Sequence, residues 1–491
     1  MKVLFVQLRF ESNMAVMCLS SFLKSKGHQT DVIIIEGEND YIQKIKEEIT
    51  PDVIAYSATT VDIKKLVAVN KRLKENFDFF SIFGGPHPTF FPELIEEDPF
   101  IDAICIGEGE YALLELLNKL EKNQEIESIK NLYVRKNGQI IKNSLNPLIE
   151  NLDSLPPLDK EIYSKYYSNP YLLENAPIRF IASRGCPYNC TYCFNHKFFE
   201  LYGVSGKRVR KRSVDSLIQE IKEVKKKFDI PMVSFVDDIF CFPKEWMREF
   251  ADKYKKEIDL PYSVNTRPNT IDDEIASLLQ KSGCYYVTFS IETGDDFLRN
   301  KVLNRNISDS EIEKAANLLH KYKIPFSTGN MLGVPGETMD TLMKTLEINR
   351  KCKPHYAWAS LFQPFPKLNL TSYAIENGYF DGNFRKIGED QFTDSILTLD
   401  RKKEIVRFHK FFALMVRYPR ITPVVRSLIK LPLNRFYNWI FKKYKIRLNN
   451  PIIRADRETL EHQCSESLGD VAAYFLNDFY EDLLTWKSKS S

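Results

Sequence analysis

The chain has 491 residues, too many for one ordinary core, so two or three domains are expected. Its 43% hydrophobic and 27% charged content is that of a globular protein, and no apolar run approaches the roughly 20 residues that a membrane-spanning helix needs. The net charge of +3 hides a split: residues 401–450 carry fourteen Lys and Arg against Glu404 alone, a balance of +13, so the other 441 residues sum to −10.

Residues 1–9 form a strand-like run, too short and wrongly flanked for a signal peptide. Apolar runs at 3–8, 32–35, 53–56, 79–83 and 103–106 predict buried strands. Helical patterns at 14–26, 41–49, 63–75 and 111–122 separate them. Strands that are apolar throughout and alternate with helices predict a doubly wound parallel sheet over residues 1–145. Ligands of such sheets bind beyond the carboxyl ends of the strands. Four loops should gather there: 9–13, Ser57-Ala-Thr-Thr60, Gly84-Gly-Pro-His-Pro-Thr89 and Gly107-Glu-Gly-Glu110. No G-x-G-x-x-G follows the first strand, which argues against a dinucleotide site.

Residues 146–175 are rich in Pro, Asn and Asp and read as a linker. A second alternating series occupies 176–385. Its strands are predicted at 178–182, 232–236, 262–265, 286–291, 326–332 and 356–362, with helices such as 214–228, 272–281 and 308–321 between them. Six β-α units suggest a partial barrel, whose site would collect at the carboxyl ends of its strands. Residues 386–491 follow as a helical, aromatic-rich and basic region.

The loop after the first of these strands holds Arg184-Gly-Cys-Pro-Tyr-Asn-Cys-Thr-Tyr-Cys-Phe194. Cys186, Cys190 and Cys193 supply three thiolates where a closed iron–sulfur or zinc site wants four ligands. Two readings stand at this point: a cluster with one iron left open, or a structural zinc with His196 as fourth ligand. Zinc sites of this kind usually come as two separated ligand pairs, which favours the cluster. Cys18, Cys105, Cys241, Cys284, Cys352 and Cys464 lie in apolar surroundings and read as core, so the nine cysteines do not form a secreted disulfide framework. A reducing, cytoplasmic setting follows.

The later strands also end in polar phrases: Asp237-Asp238, Arg267, Glu292 in Ser-Ile-Glu-Thr-Gly294, and Gly329-Asn-Met-Leu-Gly333. Two adjacent carboxylates cannot both be buried without partners, and Asp238 could equally cap a helix. Arg267 suits either a bidentate carboxylate clamp or a surface salt bridge. The glycines at 329 and 333 could equally form an ordinary tight turn.

In their order and spacing, these motifs resemble the radical S-adenosylmethionine (SAM) enzymes. The Gly-Gly-Pro-His-Pro and Gly-Glu-Gly-Glu phrases ahead of them resemble the cobalamin-binding members of that family. The resemblance covers residues 1–370. It implies a [4Fe-4S] cluster on Cys186, Cys190 and Cys193, with SAM chelating the open iron and Tyr192 beside the adenine. It also implies SAM contacts from Asp237, Glu292, Gly329 and Gly333, with Arg267 clamping a carboxylate. For cobalamin it implies contacts from Ser57, Thr59, Gly84, Gly85, Gly107 and Glu108. The D-x-H-x-x-G motif that supplies a cobalt ligand in other cobalamin proteins is absent, and His87 reads as structural rather than as its replacement.

The family's chemistry begins when a low-potential electron cleaves SAM to a 5′-deoxyadenosyl radical, which abstracts hydrogen from an unactivated carbon. In methylating members, methylcobalamin then completes the transfer. The resemblance thus implies a C-methyltransferase acting on a small molecule or lipid, with flavodoxin or ferredoxin as electron donor. The alternatives are an oxidative cyclase of the kind that closes the isocyclic ring of bacteriochlorophyll precursors, and a non-catalytic cobalamin sensor. The basic segment 401–450 has two even readings: amphipathic helices lying on an anionic inner-membrane surface, or helices packed on the barrel. It shows no RNA-recognition motif, and no nucleic-acid partner is expected.

Overall fold

The structure, a computed structural model, describes residues 1–36, 40–167, 178–203, 206–388 and 394–448. Cys464 and the rest of the tail beyond 448 lie outside the described residues, as does part of the 146–175 linker. The chain divides into two compact units. The first comprises Met1–Thr266, Glu274–Tyr285 and Pro364–Asp390; the second comprises Arg267–Asp273, Tyr286–Gln363 and Gln391–Ser491.

In the first unit, strands β1 (Lys2–Gln7), β2 (Gln29–Ile34), β3 (Val53–Ser57), β4 (Phe80–Gly84) and β5 (Ala103–Cys105) form a parallel sheet in the order β2-β1-β3-β4-β5. Successive residues serve opposite cores, as the pleat dictates. Val3 and Phe5 join the helices Met14–Lys24 and Glu110–Glu121 on one face, while Leu4 and Val6 join Ile63–Lys74 on the other. Both faces are therefore covered, which is why the strands read as continuous apolar runs. The order reverses beside β1, and the loops after β1 and β3 flank that switch point.

Two further strands extend the sheet beyond the five expected. β6 (Leu132–Lys136) and β7 (Gln139–Lys142) add an antiparallel hairpin to β5. Its turn is Asn137-Gly138, both at positive φ (50° and 78°), the pairing that suits strand twist.

The same unit continues with β8 (Ile178–Phe180), a ribbon of β9 (Ser183–Arg184) with β10 (Arg210–Lys211), then β11 (Val233–Phe235) and β12 (Tyr262–Thr266). β8, β11 and β12 are parallel neighbours, fastened by the buried rings of Phe180, Phe235, Phe240, Phe250, Tyr254 and Tyr262. The strand expected over 178–182 stops at Phe180, because the Ala182 N–H turns to the Asp237 carboxylate instead of a ladder partner.

In the second unit, β13 (Cys284–Glu292, from Tyr286 on), β14 (Phe326–Leu332) and β15 (Tyr356–Leu361) are parallel. The intervening helices Asp309–Lys321 and Met339–Cys352 begin with reciprocal caps, Ser308 with Glu311 and Thr338 with Thr341. The basic helix Lys402–Arg417 packs on β15 and on Met339–Cys352, burying Ile405, Phe408, Phe412 and Met415. Even its polar side chains are drawn in: Arg407 Nη1 donates to the Ile429 carbonyl, and His409 Nε2 stands 2.9 Å from the Ala359 carbonyl oxygen. This stretch of the tail follows the packing reading. Among the described residues, no helix is long and apolar enough to cross a membrane.

Candidate active site

The cysteine loop starts where the β9–β10 ribbon ends. Gly185 has φ +89°, and a β-carbon there would run into the Arg208 carbonyl, so only glycine lets the chain turn. The loop is pinned by Cys193 N–H donating to the Cys190 carbonyl at 3.1 Å and Leu370 N–H donating to the Thr191 carbonyl at 3.0 Å. None of Cys186, Cys190 and Cys193 is in a disulfide. Burial pushes the Cys193 thiol up to about 12; the Asn195 N–H opposes this, while Asp238, Cys186 and Cys190 add to it.

His196, the fourth ligand of the zinc reading, is buried with its Nε2 3.2 Å from Asn369 Nδ2. Among the described residues, no three His, Cys, Asp or Glu side chains are gathered to hold a single ion. A cluster takes its thiolates on separate irons, so three thiols spread along one loop fit it. Tyr192, half-buried, directly precedes the third.

At the end of β11 the two acids part company. Asp237 is 1% exposed, and its oxygens accept from Ala182 N–H at 3.0 and 3.2 Å and from the Ser183 hydroxyl. Its carboxyl is raised by burial, against the nearby Lys211 ammonium. Those oxygens are committed to the strand that launches the cysteine loop, which leaves a ligand role short of acceptors. Asp238 keeps a solvent-facing side and hydrogen-bonds Asn195. Its carboxyl is raised by desolvation and by the Asp237 charge. No helix starts at Asp238, so the capping alternative does not apply.

The second unit holds the remaining strand-end residues. Glu292 closes β13 at φ +70°, after a register shift against β14. A non-glycine residue in this region stores strain, a feature that concentrates at functional sites. Arg305, unremarked in the sequence, donates to Glu292 Oε1 at 3.3 Å and to the Ser290 carbonyl at 2.5 Å. Arg267 is 5% exposed and donates to the Arg305 carbonyl, which removes the surface salt-bridge alternative. At Gly329 a β-carbon would lie 2.6 Å from Ser290 Oγ and 3.0 Å from the Trp358 ring. Gly333 has φ +73°, and its N–H donates to the buried Glu337, whose carboxyl desolvation pushes up to about 8.

The loops at the end of the seven-stranded sheet approach closely by backbone. Gly85 has φ +94°, and a β-carbon there would lie 2.9 Å from Ala58 N. Ser57 closes β3, next to Gly84 on β4, and Thr59 donates to Asp62 at 2.8 Å. His87, in the short helix Pro86–Phe90, is buried with Nδ1 3.1 Å from Thr60 Oγ1, and burial lowers it to about 4. Gly107, at φ +78°, lies directly under the Tyr202 phenol. The Glu108 carboxylate, expected among the cofactor contacts, accepts instead from Arg184 at 2.8 Å, Arg210 at 2.8 Å and Ile149 N–H at 2.8 Å. Tyr202, Arg210 and Arg305 carry no local motif; only their partners reveal them.

Two family models match the chain: the B12 binding domain over residues 8–117 and the Radical SAM superfamily over 180–348. An uncharacterized methyltransferase of Pyrococcus horikoshii is 30% identical over 365 residues, spanning 71% of this chain and 75% of the relative. An anaerobic magnesium-protoporphyrin IX monomethyl ester cyclase of Rubrivivax gelatinosus is 28% identical over 396 residues, 75% of this chain and 69% of its own. Among solved structures, the radical SAM methyltransferase TsrM of Kitasatospora setae, with cobalamin and a [4Fe-4S] cluster bound, aligns with TM-score 0.67 at 16% identity. That alignment covers 91% of this chain and 99% of that one, and it shows a shared fold.

Proposed function

Because the chain belongs to the cobalamin-binding radical SAM enzymes, we propose that it methylates an unactivated carbon of a small-molecule or lipid substrate. The observation that carries this reading is a three-thiol loop of the radical SAM pattern in the same chain as a B12-binding domain and in a relative of a named methyltransferase. When bound, the cluster, SAM and cobalamin supply the electron, the radical and the methyl group.

The residues present give each group a holder. Cys186, Cys190 and Cys193 would ligate three irons and leave the fourth for SAM. Tyr192, Glu292, Gly329, Gly333 and Arg267 are assigned to SAM by their matching positions, and Asp238 takes the role that the resemblance gives to Asp237. The strained Glu292 and the tight Gly329 backbone support this assignment, because such conformations persist where function needs them. Ser57, Thr59, Gly84, Gly85 and Gly107 would approach the corrin and its nucleotide tail through backbone rather than side chains.

A flavodoxin- or ferredoxin-type donor would supply the electron. Contact with an anionic lipid surface is assigned to the exposed stretch of Val424, Leu431 and Leu433 among Arg420, Arg426, Lys430 and Arg435. Sedimentation with anionic but not zwitterionic vesicles tests that contact.

The likeness to the cyclase favours a second reading, an oxidative ring closure without methyl transfer. Anoxic turnover of the reconstituted protein separates the two. S-adenosylhomocysteine formed together with 5′-deoxyadenosine supports methylation. 5′-Deoxyadenosine alone supports the cyclase reading, and no SAM cleavage overturns both.

A further inference from the structure

The loop bearing the three cysteines is held at both ends by one residue of the B12-binding domain. Ahead of it, Arg184 donates to Glu108 Oε1 at 2.8 Å and to Glu110 Oε1 at 2.5 Å. Beyond it, Tyr202, just past the helix Phe194–Leu201, accepts from the Glu108 N–H at 3.1 Å, with its phenol seated on Gly107. Arg210, the ribbon partner of Arg184, donates to both Glu108 oxygens at 2.8 and 3.0 Å.

The group is charge-balanced, two carboxylates against two guanidiniums, and sheltered: Glu108 and Arg210 side chains are 9% and 3% exposed. Burial alone would raise Glu110, but the Arg184 guanidinium, together with hydrogen bonds from the backbone and from Cys18, outweighs it and holds the carboxyl below its ordinary value. Breaking such a sheltered pair on one side is far more damaging than losing a surface ion pair. The partners are 76 and 102 residues from Glu108 in sequence, so the contacts serve no local turn. All of them lie in the first unit.

We propose that Glu108 is a positioning residue that ties the cysteine loop to the cobalamin loop and thereby fixes the separation of cluster and cobalamin. This rests on the functional reading above for what the two groups do, but not for the tie itself. Separation governs coupling: the radical made at the cluster is productive only if the methyl donor stands at the right distance, and misplacement of about 1 Å can cost on the order of a hundredfold.

The test uses full-length protein reconstituted with cluster and cobalamin. The variants are Glu108→Gln, Arg184→Gln, their double variant, Arg184→Lys, and Tyr202→Phe, which removes the hydroxyl that takes the Glu108 N–H at the far end of the loop and leaves the Glu108 carboxylate pairs in place. Three quantities are read: bound iron and cobalamin, the magnetic coupling between reduced cluster and paramagnetic cobalamin by pulsed electron paramagnetic resonance, and the ratio of 5′-deoxyadenosine to S-adenosylhomocysteine.

Positioning predicts iron and cobalamin within about twofold of the parent, a shifted or broadened coupling, and a product ratio raised roughly tenfold. It also predicts that the double variant is no worse than either single one, that Arg184→Lys restores part of the coupling, and that Tyr202→Phe reproduces a weaker version. Unchanged coupling in Glu108→Gln and Tyr202→Phe overturns the proposal. Loss of cobalamin from Glu108→Gln with the coupling of Tyr202→Phe intact also overturns it, making Glu108 a direct ligand. If the parent forms no S-adenosylhomocysteine, the functional reading fails, while the coupling measurement still decides the tie.

Discussion

Replacing Asp237 by asparagine separates scaffold from ligand at the end of β11. The carboxylate is 1% exposed and accepts from Ala182 N–H at 3.0 and 3.2 Å, as well as from the Ser183 hydroxyl. Asparagine has one acceptor oxygen; placed at Oδ1 it still takes the Ser183 hydroxyl and the 3.2 Å Ala182 N–H contact, while the 3.0 Å contact to Oδ2 is lost and both surviving bonds go to a neutral group. A hydrogen bond to a charged group contributes about 1.5–3 kcal/mol against about 0.5–1.5 kcal/mol for a neutral one, so each of the two donors loses on the order of 1 kcal/mol. Removing a desolvated charge returns part of that, while Lys211, which faces Asp237, loses its counter-charge. The net expectation is a loss of about 2–3 kcal/mol, or roughly 3–5 °C in the midpoint of a unit of this size. Thermal denaturation by circular dichroism of the metal-free chain reads it. SAM affinity of the cluster-loaded variant should stay within a few-fold of the parent. Asp238→Asn should do the reverse, moving stability by under about 0.5 kcal/mol and weakening SAM binding at least tenfold. An unchanged midpoint for Asp237→Asn together with lost SAM binding would refute the reasoning and return Asp237 to the ligand set.

Gly107→Ala places a β-carbon against the Tyr202 phenol at a backbone of φ +78°, so it should cost about 1–3 kcal/mol and weaken cobalamin retention, followed by absorbance after gel filtration. Glu337 is held protonated to about pH 8 in the fold, whereas the unfolded chain releases that proton near its ordinary value of 4.5. The folded state therefore binds more protons between the two, so this group's contribution falls as pH rises, by up to about 1.4 kcal/mol per unit. Glu337→Gln should flatten that slope and gain on the parent at pH 8 in urea titrations; a parent whose stability is level from pH 5 to 8 would contradict it. Glu292→Gly relieves a left-handed backbone worth about 1–2 kcal/mol but leaves Arg305, 6% exposed, without its ion pair. It should be no more stable than the parent and bind SAM at least tenfold more weakly by equilibrium dialysis; a more stable variant with intact SAM binding would make the strain incidental.

The β-α repeats were legible because strands covered on both faces are apolar throughout, leaving a signal that no surface strand imitates. The hairpin of β6 and β7 carries the usual turn signal at Asn137-Gly138, and Leu132 and Val134 alternate with Tyr133 and Arg135 as a half-covered strand should. It sits after the last helix of a parallel series, where the repeat pattern predicts nothing. The break after Phe180 was not legible, because the residue that takes the Ala182 N–H lies 55 positions away. The same limit applies to Arg305 and Arg210: their roles depend on which carboxylate the fold brings to them, and a sequence with 69 Lys and Arg does not single them out.

Asp237 and Asp238 show where more could have been read. Phe235 is a core residue, and side chains along a strand alternate, so the residue two positions on belongs to the same buried side. Strand phase alone therefore sends Asp237 inward and Asp238 outward. A buried carboxylate then needs donors, and those at hand lie just past the end of the neighbouring strand β8, the Ala182 N–H and the Ser183 hydroxyl. Glu108 follows the same logic from the other side: an acid in a recurrent phrase invites a ligand role, yet burial beside two arginines commits its oxygens to the protein. The cysteines escape this ambiguity because a thiolate has few uses inside a protein other than binding metal or sulfur, whereas a carboxylate can serve cofactor or scaffold equally. Resemblance places such a residue at the site; only its partners decide which side of the site it serves.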